Sequence, residues 1–75
     1  MNSVNISLSS ITIVKDFVNI VNKYNFDIDL CSNRYVVDAK SIMGIFSLDL
    51  SKPINMTIHS DDASKLLDEI KPFIC

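Results

Sequence analysis

The sequence predicts an α+β protein, a four-stranded antiparallel sheet with three helices on one face. Three observations predict it. Apolar residues alternate with polar ones in four short segments, the period of a strand with one buried face. Elsewhere the apolar spacing becomes that of an amphipathic helix. The segments follow one another as β-α-β-β-α-β-α, an order in which helices pack as a second layer on an antiparallel sheet.

The first strand is carried by Val4, Ile6 and Leu8, which alternate with Ser3, Asn5 and Ser7. Ser9 or Ser10 then offers an N-cap, because a serine oxygen accepts from free backbone N–H groups. The period changes at Ile11. Ile13, Phe17, Ile20 and Tyr24 fall four, three and four residues apart, and Val14, Val18 and Val21 widen the stripe. This predicts a helix ending near Asn25. Phe26, Ile28 and Leu30 alternate with Asp27 and Asp29, a second strand. Ser32-Asn33-Arg34 is a tight turn, since asparagine tolerates left-handed backbone. Tyr35-Val36-Val37-Asp38 closes a hairpin as the third strand.

Ser41 is an N-cap candidate for a short middle helix. Pro53 suits only a turn or a strand edge. Ile54, Met56 and Ile58 alternate with Asn55, Thr57 and His59 in the fourth strand. Asp61 or Asp62 would cap a last helix with Ala63, Leu66, Leu67 and Ile70 as its stripe, stopped near Lys71 by Pro72.

Bulk properties fit this scheme. The 75 residues are expected to form a single domain, 1–75, with a small core. Stability at this size is on the order of 5 kcal/mol. Seven basic against nine acidic residues leave no cationic footprint for nucleic acid. No window approaches the roughly 20 apolar residues of a membrane span. Met1–Asn5 lacks the charge and apolar block of a secretory leader, so a cytoplasmic location is expected. Cys31 and Cys75 have no metal-ligand spacing and are expected as reduced thiols, Cys75 at a frayed end. No carboxylate pair comes with a base or a metal partner, and neither cofactor nor metal is expected.

Asp38-Ala39-Lys40-Ser41-Ile42-Met43-Gly44-Ile45-Phe46-Ser47-Leu48 resembles the regulatory-serine motif of HPr, the small phosphocarrier family of the bacterial sugar phosphotransferase system. Lys23-Tyr24-Asn25-Phe26-Asp27-Ile28-Asp29-Leu30 resembles that family's first-helix end and second strand, and the spacing between the blocks fits without a gap. The resemblance implies the open-faced HPr sandwich, and it implies Ser41 as the acceptor of a dedicated serine kinase. It implies docking of protein partners on the middle helix: the kinase, a transcription regulator or phosphotransferase-system enzymes.

The departure is equally specific. The family's carrier motif is Gly-x-His-Ala-Arg-Pro at the start of the first helix. Counting back from Lys23, the glycine position falls on Leu8, the histidine on Ser10, the arginine on Thr12 and the proline on Ile13. A carrier needs a nitrogen nucleophile whose phosphoramidate passes the group on, and a serine ester is far more inert. His59, the one histidine, sits in the polar phase of the fourth strand, half the chain away. The expectation is therefore a regulatory or docking protein, at most a phosphoryl acceptor and not an enzyme. A phosphocarrier using a non-aligned acceptor and a repurposed scaffold for an unrelated partner are the alternatives.

Within the middle helix, Ile42, Met43 and Phe46 share one face and Ile45 and Leu48 the other. The first three, with Lys40 at the edge, are expected to form an exposed docking patch. The alternative is a loosely packed helix that buries two of the three. A symmetric homodimer through the patch is also compatible with the sequence. Gly44 allows either a close approach at this helix or simple helix–sheet packing.

Overall fold

The computed structural model describes residues 2–75. Four strands, β1 (Asn2–Ile6), β2 (Ile28–Ser32), β3 (Tyr35–Asp38) and β4 (Ile54–Ile58), form one antiparallel sheet in the order β1-β4-β2-β3. Three helices, α1 (Ile11–Val21), α2 (Ile42–Phe46) and α3 (Ser64–Glu69), cover one face, and a 3₁₀ turn (Lys71–Phe73) follows α3. This is the predicted open-faced sandwich.

The alternation of each strand decides its face. Ile6, Ile28, Leu30, Ile54, Met56 and Ile58 point to the helices and are buried. Ser3, Asn5, Asn55, Thr57, Asp29 and Cys31 occupy the opposite phase, on the open face. Cross-strand polar bonds satisfy that face, such as Asn55 Nδ2 donating to Ser3 Oγ at 2.8 Å. From the helical layer Val14, Phe17, Val21, Ile45, Leu66 and Ile70 complete the core, and no polar residue is buried among the described residues. Phe73 meets Phe17 edge to face, ring centroids 5.8 Å apart, which seats the 3₁₀ turn on the core.

The caps and turns have local causes. Ser10, with extended backbone, accepts from the Ile13 N–H at 3.2 Å and caps α1. Asn33 adopts φ 55° in the two-residue β2–β3 turn, the left-handed conformation expected of it. Pro53 stands immediately before β4, where no ladder bond is lost.

Several boundaries differ from the sequence expectation. β1 stops at Ile6 rather than Leu8, because the Ser7 N–H donates to the Phe73 carbonyl at 2.8 Å. Leu8 is buried all the same. α1 stops at Val21 rather than near Asn25, and the N–H groups of Lys23 and Tyr24 turn back to Ile20 and Val21. Phe26 lies before β2 and packs on Tyr24, ring centroids 5.4 Å apart. Neither Asp61 nor Asp62 is the N-cap of α3. That position is Ala63, which makes no side-chain cap, while Asp62 Oδ1 accepts from Ser64 Oγ at 2.9 Å. α3 ends at Glu69, two residues short of Lys71, and Pro72 lies inside the 3₁₀ turn.

Cys75 is not frayed. Its N–H donates to the Asn5 carbonyl at 3.1 Å, and Ile74 bridges Ile6, so the chain end lies along the outer edge of β1. Both cysteines are free thiols, Cys31 half-buried and Cys75 exposed.

β4 is central, and its three inward side chains are fully buried. Met56→Ala is expected to lower the unfolding free energy by about 2–5 kcal/mol. Urea unfolding should show the loss as a lower midpoint with an unchanged slope.

Candidate functional site

Two regions carry the residues singled out by the sequence. The first is the segment from β3 into α2. Backbone turns hand the chain from strand to helix: the Lys40 N–H donates to Asp38 Oδ1 at 2.9 Å, and the Ser41 N–H to the Asp38 carbonyl at 3.0 Å. Ser41 then caps α2, its Oγ accepting from the Gly44 N–H at 3.1 Å. The Ser41 side chain is exposed.

α2 has only five residues and is held by what lies beneath it. Ile45 is fully buried and Leu48 nearly so. A Cβ on Gly44 would lie 3.3 Å from Val37 Cβ and 3.3 Å from Ser41 Oγ. That distance is tight, so the glycine serves a close approach of α2 to both β3 and its own cap.

The opposite side of α2 is the expected patch, with two changes. Met43 is 76% exposed and Phe46 40%. Ile42 is half-buried and packs against the core, so it forms the floor of the patch rather than its surface. Lys40 is not a free cation at the rim. Its Nζ donates to the Tyr24 carbonyl at 2.5 Å, tying the loop before α2 to the end of α1.

The second region is the start of α1. Ser10 and Thr12 are exposed there, and Ile11 between them is 63% exposed. His59 belongs to a different surface. Its Nε2 lies 2.7 Å from Asp29 Oδ2 on the open face of the sheet, away from the helical layer that holds Ser10. Among the described residues no group of three His, Cys, Asp or Glu side chains could hold a metal ion. No helix of the described residues is long and apolar enough to cross a membrane.

Three features escaped the sequence reading. Lys23 and Tyr24, in the turn just past α1, both bond Glu69 at the end of α3, the lysine at 2.6 Å. The hydrogen bond to Glu69 and partial desolvation push the Tyr24 phenol up to about 12. The same two donors hold the Glu69 carboxyl below its ordinary value. An open groove of about 700 Å³ runs between α1 and the 3₁₀ turn, lined by Ser9, Ile13, Asp16, Ile20 and Phe73 among others. Tyr35 and Val36 on β3 are 68% and 63% exposed. None of the three had a clear local signal; the exposure of β3 follows from β2 pairing onward with β4, which leaves β3 at the sheet edge. The others join residues far apart in the chain.

Comparison with known proteins fits this geometry. The family model for the PTS HPr component phosphorylation site matches residues 11–75. The chain belongs to the HPr family. The HPr match starts one residue after Ser10. No curated protein matches the chain. Among solved structures, HPr-C-His from Thermoanaerobacter tengcongensis superposes with a TM-score of 0.76 at 29% identity, covering 93% of this chain and 90% of that one. The phosphocarrier HPr of Bacillus anthracis gives 0.73 at 28% identity, covering 99% and 94%. Crh of Bacillus subtilis, a catabolite-repression protein described as a swapped dimer, gives 0.67 at 24% identity, covering 91% and 79%, a likeness of fold.

The Tyr24–Glu69 bond sets a pH dependence. A phenol whose folded value is raised stabilises the fold fully below the ordinary value near 10 and loses that contribution as pH rises through about 12. Glu69, lowered in the fold, contributes above its ordinary value and loses the contribution as pH falls. Absorbance titration should find a phenol near 12 in the folded chain, and Glu69→Gln should move it toward 10.

Proposed function

We propose that this HPr-family chain is a regulatory, protein-docking member that has given up phosphoryl carriage. On this reading Ser10 occupies the carrier-histidine position and Thr12 the arginine position. The observation that carries it is the whereabouts of the one histidine: His59 is bonded to Asp29 on the open sheet face, not at the start of α1. A hydroxyl at Ser10 would form a stable ester, which neither accepts from nor donates to a phosphoramidate chain with useful speed. The protein is then not an enzyme, needs no cofactor, and acts as one HPr-like domain in the cytoplasm.

The working surface is α2. Ser41 is the regulatory acceptor, and Met43 and Phe46, over the floor made by Ile42, are the docking side chains. Exposed methionine and phenylalanine on so small a protein suit an adaptable contact surface. A phosphate on Ser41 adds about −1.5 to −2 charges at the edge of that surface. The Lys40 ammonium, engaged with the Tyr24 carbonyl, is the neighbouring cation that a phosphate would compete for. The partners are proteins: the HPr serine kinase, a transcription regulator or enzymes of the phosphotransferase system.

Two phosphorylation assays test the reading. With phosphoenolpyruvate and the system's first enzyme, no acid-labile phosphoprotein should form, and its appearance would overturn the loss of carriage. With the serine kinase and ATP, acid-stable phosphate should appear on the chain and vanish in Ser41→Ala. Equal labelling of that variant would remove Ser41 from the proposal.

Docking is tested by charge. Met43→Asp combined with Phe46→Asp should weaken capture by any such partner at least about tenfold, because charged groups would have to be desolvated at the contact. Met43 is 76% exposed but Phe46 only 40%, so the unfolding midpoint should fall modestly while circular dichroism shows the fold retained. Unchanged capture would show that α2 is not the docking face.

A further inference from the structure

The two edges of the sheet are treated differently. The outer edge of β1 is occupied by the chain end, through the Ser7 and Cys75 N–H bonds and the Ile6–Ile74 bridge. Among the described residues no strand pairs with the outer edge of β3, although at its end the Asp38 carbonyl accepts from the Ser41 N–H, and its Tyr35 and Val36 are the most exposed apolar side chains of the sheet. Strand edges are normally blunted by lysine, proline or a bulge. β3 has none of these; its shortness and the turn from Asp38 to Ser41 are its guards.

The hydrogen-bond phase of this edge is fixed. β2 and β3 pair Leu30 with Val37 and Ser32 with Tyr35, and the Ala39 N–H donates to the Ile28 carbonyl at 2.9 Å. Bonded pairs alternate with non-bonded ones in an antiparallel ladder. Ile28 with Ala39, Leu30 with Val37 and Ser32 with Tyr35 are therefore the bonded pairs. The N–H and C=O of Val36 thus point outward, away from β2.

The sequence Arg34-Tyr35-Val36-Val37-Asp38 is self-complementary in that phase. Antiparallel pairing of two copies about Val36 sets Val36 against Val36 and Tyr35 against Val37, and it brings Arg34, the turn residue before β3, beside Asp38 twice. Opposed residues in an antiparallel pair share a face, so both helical layers fall on the same side. Shifting the pairing by two residues in either direction loses both charge pairs. A shift that centres on Asp38 stacks two carboxylates.

We propose that the free edge of β3 is a homodimer interface, a second copy of this chain adding antiparallel through the Val36 pair to make one continuous eight-stranded sheet. The occupant follows from the match of charge, apolar side chain and backbone phase within one five-residue segment. It differs from the α2 patch, which stays open to other partners, and it exchanges no strand. A contact this small falls below the roughly 1,200 Å² of a stable complex, so dissociation is expected at about 0.1–1 mM.

The test is sedimentation equilibrium of the full chain up to about 1 mM, with variants checked for folding by circular dichroism. The mean mass should rise toward the dimer. Arg34→Asp and Asp38→Arg should each weaken association at least about tenfold by setting like charges opposite. An equal mixture of those two variants should associate again, because one chain then carries two acids and the other two bases. Val36→Lys, which leaves both charged positions and the Asp38 turn intact, should be monomeric. A wild-type chain that stays monomeric to that concentration would overturn the proposal. So would association that survives Val36→Lys, or a mixture no stronger than its components.

Discussion

The structure depends on the one-sided burial of β4. This strand comes late in the chain yet lies inside the sheet, antiparallel to β1 on one side and β2 on the other. Its inward side chains Ile54, Met56 and Ile58 are fully excluded from water. Without it, β1 has no strand partner and the β2–β3 hairpin is alone, and an isolated hairpin is marginal in water. The helices have no other surface on which to bury Phe17, Ile45 and Leu66. The fold is therefore held by contacts of long sequence separation, and the local signals of cap and turn act only once those contacts exist.

That dependence shapes α2. A five-residue helix is far too short to persist by itself. It exists because Ile45 and Leu48 reach the core and because Gly44 lets it close onto Val37. The same anchoring forces Met43 to the outside. An exposed methionine here is a geometric consequence of burying its neighbours, and its apolar character is what calls for the docking reading. The Lys40 bond to the Tyr24 carbonyl and the Lys23–Tyr24–Glu69 cluster fasten the loop before α2 and the end of α3 to the same end of α1.

Much of this was legible in the sequence because one-sided layers leave a clear period. The alternation of Ile54, Met56 and Ile58 and the stripe of Val14, Phe17 and Val21 could have been buried in only one way. Apolar periodicity misplaced ends where side chains stay in phase after the backbone has left the element. Tyr24 lies beyond α1 and Phe26 before β2, yet both pack as if they belonged. The engagement of Lys40 with Tyr24 was not legible for another reason: its hydrogen bond spans sixteen residues, and no local pattern encodes such a partner. The cap of α3 was misassigned because Asp62 bonds Ser64 from outside the helix, a turn that acidic residues favour as readily as a cap.

Ser10 and Ser41 do the same thing for the fold. Each has extended backbone and accepts from the N–H three residues on, starting α1 and α2 respectively. Their proposed chemical fates diverge because capping and phosphoryl chemistry make different demands. Capping asks only for an acceptor oxygen on a short side chain. Carriage asks for a nucleophile whose phosphate remains reactive, which a hydroxyl does not provide. Regulation asks for a phosphate that persists, which a hydroxyl provides well. On the proposed reading, a serine at the start of α1 preserves the helix while ending transfer, whereas a serine at the start of α2 serves structure and regulation at once. On the proposed reading, this is why the HPr architecture persists intact around a start of α1 that has lost its chemistry.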